Sequence, residues 1–171
     1  MVNLTKDEIG RLLDGIQDLR HRAFVQMGYH HGMRRGELLA LRGTDIQNGH
    51  VRIVRLKQRN RPIVNVQPLH ERERELIERL AGQAGPNRIF DWSASYASRI
   101  IKDYLTKAGV YTFARQKSLH SLRHSAGTNL YKSSKDIVAV SCWLGQRSIE
   151  SSRRYTNISQ DELEKLAASA L

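Results

Sequence analysis

The chain has 171 residues, of which 40% are hydrophobic and 26% charged, a composition that excludes a disordered chain and predicts a single globular domain. Its 28 Lys and Arg residues outnumber 17 Asp and Glu residues, so the formal net charge is +11, which favours a polyanion such as nucleic acid as partner. The one cysteine, Cys142, excludes an internal disulfide framework and a cysteine-rich zinc site, and we expect it to be buried in the core.

No segment of the sequence indicates a membrane protein. The apolar runs are too short to span a bilayer, and the first residues lack the basic-then-apolar pattern of a signal peptide. We therefore expect a cytoplasmic protein without a membrane partner.

Helical patterns fill the first part of the chain. Thr5 and Glu8 fit a capping box, and apolar residues then recur at helical spacing as far as Ile16. The pattern predicts a second helix over residues 19–30. A short third helix is predicted over 36–41, after the glycine-flanked basic pair at 34–35.

The pattern changes between residues 51 and 68. Two runs rich in β-branched residues, 51–56 and 62–66, flank a polar turn at 58–61, which predicts an antiparallel β-hairpin. The hairpin is basic, and Lys57 lies at the end of its first strand.

Helical patterns then resume over residues 70–80, 93–108, 120–131, 135–144, 149–155 and 160–170. The sequence has no internal repeat and no long linker. It therefore predicts a mainly α fold with a small antiparallel β-sheet (α+β), in one domain that covers residues 1–171.

The pentapeptide HSLRH at residues 120–124 suits phosphodiester chemistry. On a helix, His120 and Arg123 project from one face, so that the guanidinium can grip phosphate oxygens while the imidazole moves a proton. A zinc site at His120 and His124 is not expected, because the zincin motif requires Glu where Ser121 stands. Two ordinary surface histidines are the alternative.

Three further residues are candidates for the same chemistry. Arg34 precedes a helix in a glycine-flanked bend, where Glu37 can orient it towards an anion; a solvated basic turn is the alternative. Lys57 can release a proton, as arginine cannot, although a basic hairpin more often only follows phosphates. Tyr155 is a possible nucleophile, but most tyrosines are packing residues.

The order of these residues along the chain is more informative about function than any one of them alone. Along the chain the elements are Arg34, Lys57, His120-x-x-Arg123, Leu144-Gly145 and Tyr155. This order resembles the catalytic domain of the tyrosine recombinases, the phage-integrase family, and the resemblance covers nearly the whole chain.

The resemblance implies the tyrosine-recombinase catalytic-domain fold and a site-specific recombinase or integrase that works without a metal or other cofactor. Arg34 and Arg123 would clamp the scissile phosphate. Lys57 would protonate the departing 5′-oxygen, and His120 would assist proton transfer. Tyr155 would attack phosphorus and form a 3′-phosphotyrosyl intermediate.

Two departures from the family pattern qualify this expectation. Gln146 stands where the family has His or Trp; its amide can donate a hydrogen bond to a phosphate oxygen but cannot titrate, so we expect activity to be kept or weakened. The usual N-terminal DNA-binding domain is expected to be absent, which lowers the affinity for DNA. Relaxation by a type IB topoisomerase-like enzyme and a catalytically silent DNA-binding regulatory protein are the alternative functions.

The expected partner is double-stranded DNA, with self-association into a tetrameric synapse and with accessory DNA-bending or partner recombinase proteins. Basic residues beside the candidate site are expected to contact DNA: Arg35, Arg55, Arg59, Arg61 and Arg147. In the tail, Leu163, Leu166 and Leu171 form an apolar stripe that can dock on a neighbouring protomer or fold back on its own domain.

Overall fold

The computed structural model describes residues 3–55, 63–111 and 118–146. The α-helices and strands of this part of the chain are, in order, α1 (Lys6–Asp14), α2 (Leu19–His30), α3 (Arg35–Ala40), β1 (Ile46–Gln47), β2 (His50–Arg55), β3 (Ile63–Pro68), α4 (Glu71–Ala84), α5 (Ala94–Lys107), α6 (Leu119–Ser134) and α7 (Ile137–Trp143), with a short 3₁₀ helix at Gly43–Asp45 before β1. The hairpin turn at 58–61, the predicted helices at 149–155 and 160–170, and the apolar stripe of the tail lie outside the described residues.

Side-chain caps decide where several helices begin. Thr5 Oγ1 accepts a hydrogen bond from the N–H of Glu8 at 3.1 Å, and Glu8 Oε2 accepts from the N–H of Thr5 at 2.8 Å, so the predicted capping box is confirmed. Asp136 caps α7 by accepting from two main-chain N–H groups. Helix α7 therefore begins two residues later than predicted, because Lys135 lies in the left-handed region with φ 54°.

The three strands form one antiparallel sheet in the order β1-β2-β3. Strands β2 and β3 pair from His50 with Pro68 to Arg55 with Ile63, which confirms the hairpin with small shifts at its ends. Strand β1 was not predicted, because two residues are too few to show an alternating pattern. Val51, Ile53 and Arg55 form the buried row of β2, so that an arginine occupies an inward position of the sheet.

Helix α2 lies at the centre of the core and packs against α4 and α6. Ala23, Phe24, Val25 and Met27 are all fully buried, and the Phe24 ring meets Phe90 edge-on with 5.1 Å between centroids. Burial of a large apolar side chain contributes about 1.5–3 kcal/mol, so this helix is anchored firmly. The residues that follow its end, 31–33, are buried as well, and the partly exposed Arg34 comes next.

Two local expectations are corrected by packing. Helix α4 runs four residues past its predicted end at residue 80, through Gly82, because the helix continues to bury Leu80 and Ala81 against the core.

Cys142 was expected in the core, and that prediction is wrong: it is exposed. Helix α7 is short, and it buries Val140 and Ser141, so that Cys142 faces away from the core.

Across the described segments, no helix combines the length and apolar character that crossing a membrane requires.

Candidate functional site

The Arg34 side chain is held in one direction by Glu37. Residue 34 is the last before α3, and Glu37 Oε2 accepts a hydrogen bond from its main-chain N–H at 2.8 Å. The other carboxylate oxygen, Oε1, accepts from Arg34 Nη1 at 2.7 Å. The Arg34 side chain keeps 29% of its surface exposed, whereas that of Glu37 keeps 1%. A buried acid therefore aims a guanidinium towards solvent.

A second guanidinium lies on the inner side of Glu37. Arg55 Nη1 donates to Glu37 Oε2 at 2.9 Å, and the Arg55 side chain is fully buried. Burial of the Glu37 carboxyl raises its pKa, but the charge of Arg55 and the hydrogen bonds and charge of Arg34 outweigh it, so this pKa lies below its ordinary value. The carboxylate therefore stays ionised between its two arginines.

The burial of Arg55 corrects one expectation. Arg55 was predicted to contact DNA, and this prediction is wrong, because its side chain has no exposed surface. Instead Arg55 Nη2 donates to the main-chain oxygen of Trp143 at 2.9 Å, and the same atom lies 3.4 Å from the oxygen of His31. Arg55 thus links the end of β2 to the end of α7.

Arg123 on α6 joins the two turns that frame the site. The residue is 2% exposed, and its Nη1 donates to the main-chain oxygen of Gly32. Its Nη2 donates to the oxygen of Leu144 at 2.8 Å. Gly32 has φ 57°, and a methyl group there would overlap the Leu144 side chain, so a glycine is required where the two turns meet. The Arg123 guanidinium therefore fixes the turn that precedes Arg34 next to the turn that precedes Gln146.

Gln146 follows a tight turn at the end of α7. Gly145 has φ 57°, and a Cβ atom there would lie 2.8 Å from Cγ of Arg55, so the turn packs directly on the Arg55 stem. The Gln146 N–H donates to the oxygen of Ser141 at 2.8 Å, and Ser141 Oγ donates to the oxygen of Gln146 at 3.1 Å. The main chain of Gln146 is therefore fixed to α7.

A cleft of about 730 Å³ places Arg34 and His120 together. His120 is exposed in the first turn of α6, where its N–H donates to Ser118 Oγ at 3.2 Å. Arg35 also lines the cleft, and its Nη1 donates to Ser98 Oγ at 2.6 Å. The cleft offers an anionic ligand a guanidinium of fixed direction and an imidazole, the side chain most often used for proton transfer.

The structure thus places four of the predicted catalytic residues. Arg34 and His120 line the cleft, whereas Arg123 and Gln146 are not among the residues that line it: Arg123 lies on α6 and bonds to the main chain at Gly32 and Leu144, and Gln146 follows the turn at Gly145. The other predicted site residues lie outside the described part of the chain: Lys57, Arg59, Arg61, Arg147 and Tyr155.

Lys102 on α5 and Tyr111, which follows that helix, also line the cleft and were not predicted from the sequence. The Lys102 ammonium lies 5.4 Å from the centre of the Tyr111 ring. Ser98 and Lys102 are four residues apart and so share a helix face, which was a visible signal. Nothing in the sequence pattern shows that this face meets Arg35.

A second polar network supports the Trp143 carbonyl from the other side. The Gln67 amide nitrogen donates to that oxygen at 2.6 Å, while Gln67 Oε1 lies 2.8 Å from His31 Nδ1. The Nε2 atom of His31 lies 2.6 Å from Glu73 Oε1, and His30 Nδ1 lies 2.7 Å from Glu73 Oε2. Burial raises the pKa of Glu73, but the hydrogen bonds and charges of the two histidines outweigh it and lower the pKa to about 2.

Among the described residues, no group of three or more His, Cys, Asp or Glu side chains is placed to hold a metal ion.

Comparison with known proteins identifies the family of this chain. The sequence profile of the phage integrase family matches residues 2–162. Tyrosine recombinase XerH of Campylobacter jejuni subsp. jejuni is 30% identical over 186 aligned positions, and the alignment covers 96% of this chain and 50% of XerH. Type 1 fimbriae regulatory protein FimE of Escherichia coli K12 is 34% identical over 157 residues, which cover 83% of this chain and 76% of FimE. The chain therefore spans half the length of XerH and about three quarters of FimE.

Solved recombinase structures share the fold. The crystal structure of XerA recombinase matches with a TM-score of 0.76 at 22% identity, over 99% of this chain and 63% of that one. XerH bound to difH in a pre-cleavage complex matches with a TM-score of 0.78 at 22% identity, over 98% of this chain and 54% of that one. With a family profile that matches nearly every residue and a fold shared with these recombinases, the chain belongs to the phage integrase family.

Proposed function

We propose that this chain breaks and rejoins DNA strands at specific sites through a covalent 3′-phosphotyrosyl bond to Tyr155. The observation that carries the proposal is the shared cleft of Arg34 and His120, in which the buried Glu37 carboxylate aims the Arg34 guanidinium at solvent. Relatives named tyrosine recombinases support the same activity, and the similarity to a XerH–DNA complex supports double-stranded DNA as the partner.

The first task of such a site is to neutralise a phosphodiester. Attack on phosphorus concentrates negative charge on the nonbridging oxygens, and fixed guanidinium groups stabilise that charge without reorganising. Arg34 takes this role from the cleft. The proposal assigns the same role to Arg123, which is 2% exposed and bonds to the oxygens of Gly32 and Leu144 in this structure. The Gln146 amide donates a further hydrogen bond to the same phosphate, which requires no change of its protonation state.

The covalent step exchanges one phosphoester for another. Tyr155 Oη forms a bond to phosphorus, and the bond between phosphorus and the 5′-oxygen breaks. His120 accepts the phenol proton, and Lys57 gives a proton to the leaving 5′-oxygen, so the charges balance. Because the phosphoester bond is conserved, a 5′-hydroxyl can reverse the reaction without an external energy source.

Strand exchange also sets an expected stoichiometry. Two duplexes contain four strands, and each strand requires its own nucleophile, so four protomers assemble on two DNA sites in the proposal. The apolar stripe at Leu163, Leu166 and Leu171 is a candidate for protomer contacts. Accessory DNA-bending proteins or a partner recombinase belong to the same proposal.

A covalent-capture experiment tests the activity. The full chain is incubated with duplexes in which a randomised region precedes a nick, so that the 5′-hydroxyl fragment released on cleavage diffuses away. We expect SDS-resistant adducts enriched in one sequence motif with the wild type, and none with Tyr155→Phe. Tyr131→Phe on α6 is the matched control: Tyr131 packs against Val140 and Leu144 and is not among the residues that line the cleft, so this variant is expected to retain the adduct.

Other results would overturn the proposal. DNA binding without any adduct assigns the chain to the silent DNA-binding proteins. Relaxation of a supercoiled plasmid that carries one site, without exchange between paired sites, assigns it to type IB topoisomerase-like enzymes.

A further inference from the structure

Arg55 is a buried cation whose presence stability alone does not explain. Its side chain is fully buried, and its Nε has no hydrogen-bond partner among the described residues. Burial of a guanidinium carries a large desolvation cost, and well-packed apolar residues at such positions are often as stabilising or more so. The inward row of β2 otherwise consists of Val51 and Ile53, so an apolar residue suits this position of the sheet.

The contacts of Arg55 reach both halves of the candidate site. Through Nη1 it holds Glu37 Oε2 at 2.9 Å, and Glu37 in turn holds Arg34. Through Nη2 it holds the oxygen of Trp143 at 2.9 Å. Its stem lies directly beneath Gly145, the residue before Gln146.

Through these contacts, Arg55 connects Glu37 to Trp143, two residues that are far apart in sequence. Without the Arg55 charge, Glu37 keeps Arg34 as its one cationic partner among the described residues, and its Oε2 atom keeps the main-chain bond from Arg34 but loses the bond from Arg55. Among the described residues, the carbonyl of Trp143 then keeps one side-chain bond, from Gln67, so the end of α7 that leads into the Gly145 turn is held less firmly. Both the direction of Arg34 and the position of Gln146 are therefore set by the same side chain.

We propose that Arg55 is a positioning residue that couples the Arg34 guanidinium to the Gly145–Gln146 turn, and so sets the geometry in which both meet the scissile phosphate. This proposal rests on the proposed function, because the coupled groups are those assigned to the phosphate there. Arg55 itself touches neither DNA nor the reacting atoms.

The first test compares cleavage rate with DNA affinity. Arg55→Met keeps the length of the side chain and removes its charge, and Arg52→Met makes the same change three residues earlier on β2, at an exposed arginine paired with Asp45. We expect Arg55→Met to lower the single-turnover rate of adduct formation about 100-fold, the scale of a misplacement of about 1 Å, and to leave the dissociation constant for DNA within about threefold. Arg52→Met leaves the rate unchanged. Equal rates for Arg55→Met and the wild type would overturn the proposal.

The coupling itself is measured with a double-variant cycle. Gln146→Ala is expected to slow cleavage about tenfold in the wild-type background, the scale of one hydrogen bond to a charged group, and to have little further effect in the Arg55→Met background. Additive losses would show that Arg55 does not position Gln146. Arg55→Met removes a positive charge that pairs with the buried Glu37 carboxylate, which can prevent folding. In that case the cycle uses the double variant Arg55→Met with Glu37→Gln, in which the carboxylate is neutralised as well.

An NMR measurement that does not require catalytic activity tests the role of Arg55 independently of the proposed function. The main-chain N–H of Arg34 donates to Glu37, and that of Gln146 donates to Ser141, so both amide signals report local geometry in ¹⁵N–¹H NMR spectra. We expect Arg55→Met to shift both signals and Arg52→Met to shift neither. A shift at one site alone would overturn the coupling. Shifts at both sites in a chain that forms no adduct would overturn the proposed function and retain the coupling.

Discussion

Glu37 accepts two hydrogen bonds from Arg34, one from its main-chain N–H at 2.8 Å and one from Nη1 at 2.7 Å. The first bond caps α3 and the second fixes the guanidinium, so one carboxylate sets both where the helix begins and where the arginine points. Because the residues are three apart at a helix start, this pair forms locally.

Replacement of Glu37 by Gln tests this double role. The amide cannot neutralise Arg55, which then remains as a buried cation without a counter-charge, and breaking a buried pair in this way costs about 3–5 kcal/mol. We expect urea unfolding to show a loss of this size and adduct formation to fall about 100-fold. Glu78→Gln on the exposed side of α4 makes the same chemical change and is expected to stay within about 0.5 kcal/mol of the wild type. Equal stability of the two variants would contradict the buried pair.

Gly145→Ala is expected to destabilise the protein and to slow cleavage. Residue 145 has φ 57°, and a Cβ atom there would lie 2.8 Å from Arg55 Cγ, so alanine strains the backbone and displaces Arg55. The strain of the left-handed conformation alone costs about 1 kcal/mol. Gly82→Ala in α4 is the control: nothing lies within 4 Å of its Cβ position, and alanine there should raise the free energy of unfolding by about 0.5–1 kcal/mol. Opposite signs for the two variants in thermal unfolding confirm the prediction.

The Glu73 network predicts a loss of stability in acid. The pKa of Glu73 is lowered from 4.5 to about 2, so its contribution to folding is fully present above about pH 4.5 and is lost as the pH falls towards 2. Each pKa unit corresponds to about 1.4 kcal/mol, which gives a contribution of about 3 kcal/mol. We expect the difference in unfolding free energy between the wild type and Glu73→Gln to shrink over this pH range. A difference that stays constant with pH would contradict the network; Glu75→Gln on the exposed face of α4 provides the reference curve.

The basic rim of the cleft predicts how DNA affinity depends on salt. If Arg35 and Lys102 each contact a phosphate, replacing either by Ala removes about one unit from the slope of log affinity against log salt concentration. Fluorescence anisotropy with a labelled duplex measures this slope. Arg79→Ala changes the net charge equally at a residue that lines a different cavity, and its slope should match the wild type. An unchanged slope for Lys102→Ala would remove it from the DNA-contacting surface.

The acid role proposed for Lys57 has a chemical test. Lys57→Ala should slow cleavage by about 10²–10⁴-fold, the usual worth of a general acid. A substrate with sulfur in place of the 5′-oxygen should restore the rate, because a thiolate leaves without a proton. Arg59→Ala is the control, since a lost phosphate contact is not restored by sulfur. Failure of the sulfur substrate to rescue Lys57→Ala would assign the acid role to another group.

Local patterns predicted most of the secondary structure and failed where packing prevailed. The capping box at Thr5 and the α2 bounds follow from the sequence, because caps and apolar spacing act within one helix. The extension of α4 through Gly82 depends on the core that Leu80 and Ala81 reach. Alternation along β2 places Arg55 on the same face as Ile53, but the residue type suggested a surface position, and the prediction of a DNA contact was therefore wrong.

By itself the sequence determined the order of the functional motifs, the helical and hairpin segments that carry them, and the pairing of Arg34 with Glu37. Each of these depends on residues a few positions apart. Only the tertiary structure decided that Arg123 joins Gly32, 91 positions away, to Leu144, and that Arg55 reaches Trp143, 88 positions away. Such contacts depend on how α2, α6 and α7 pack against the sheet, and a repeating pattern reveals which face of an element is buried but not what it is buried against.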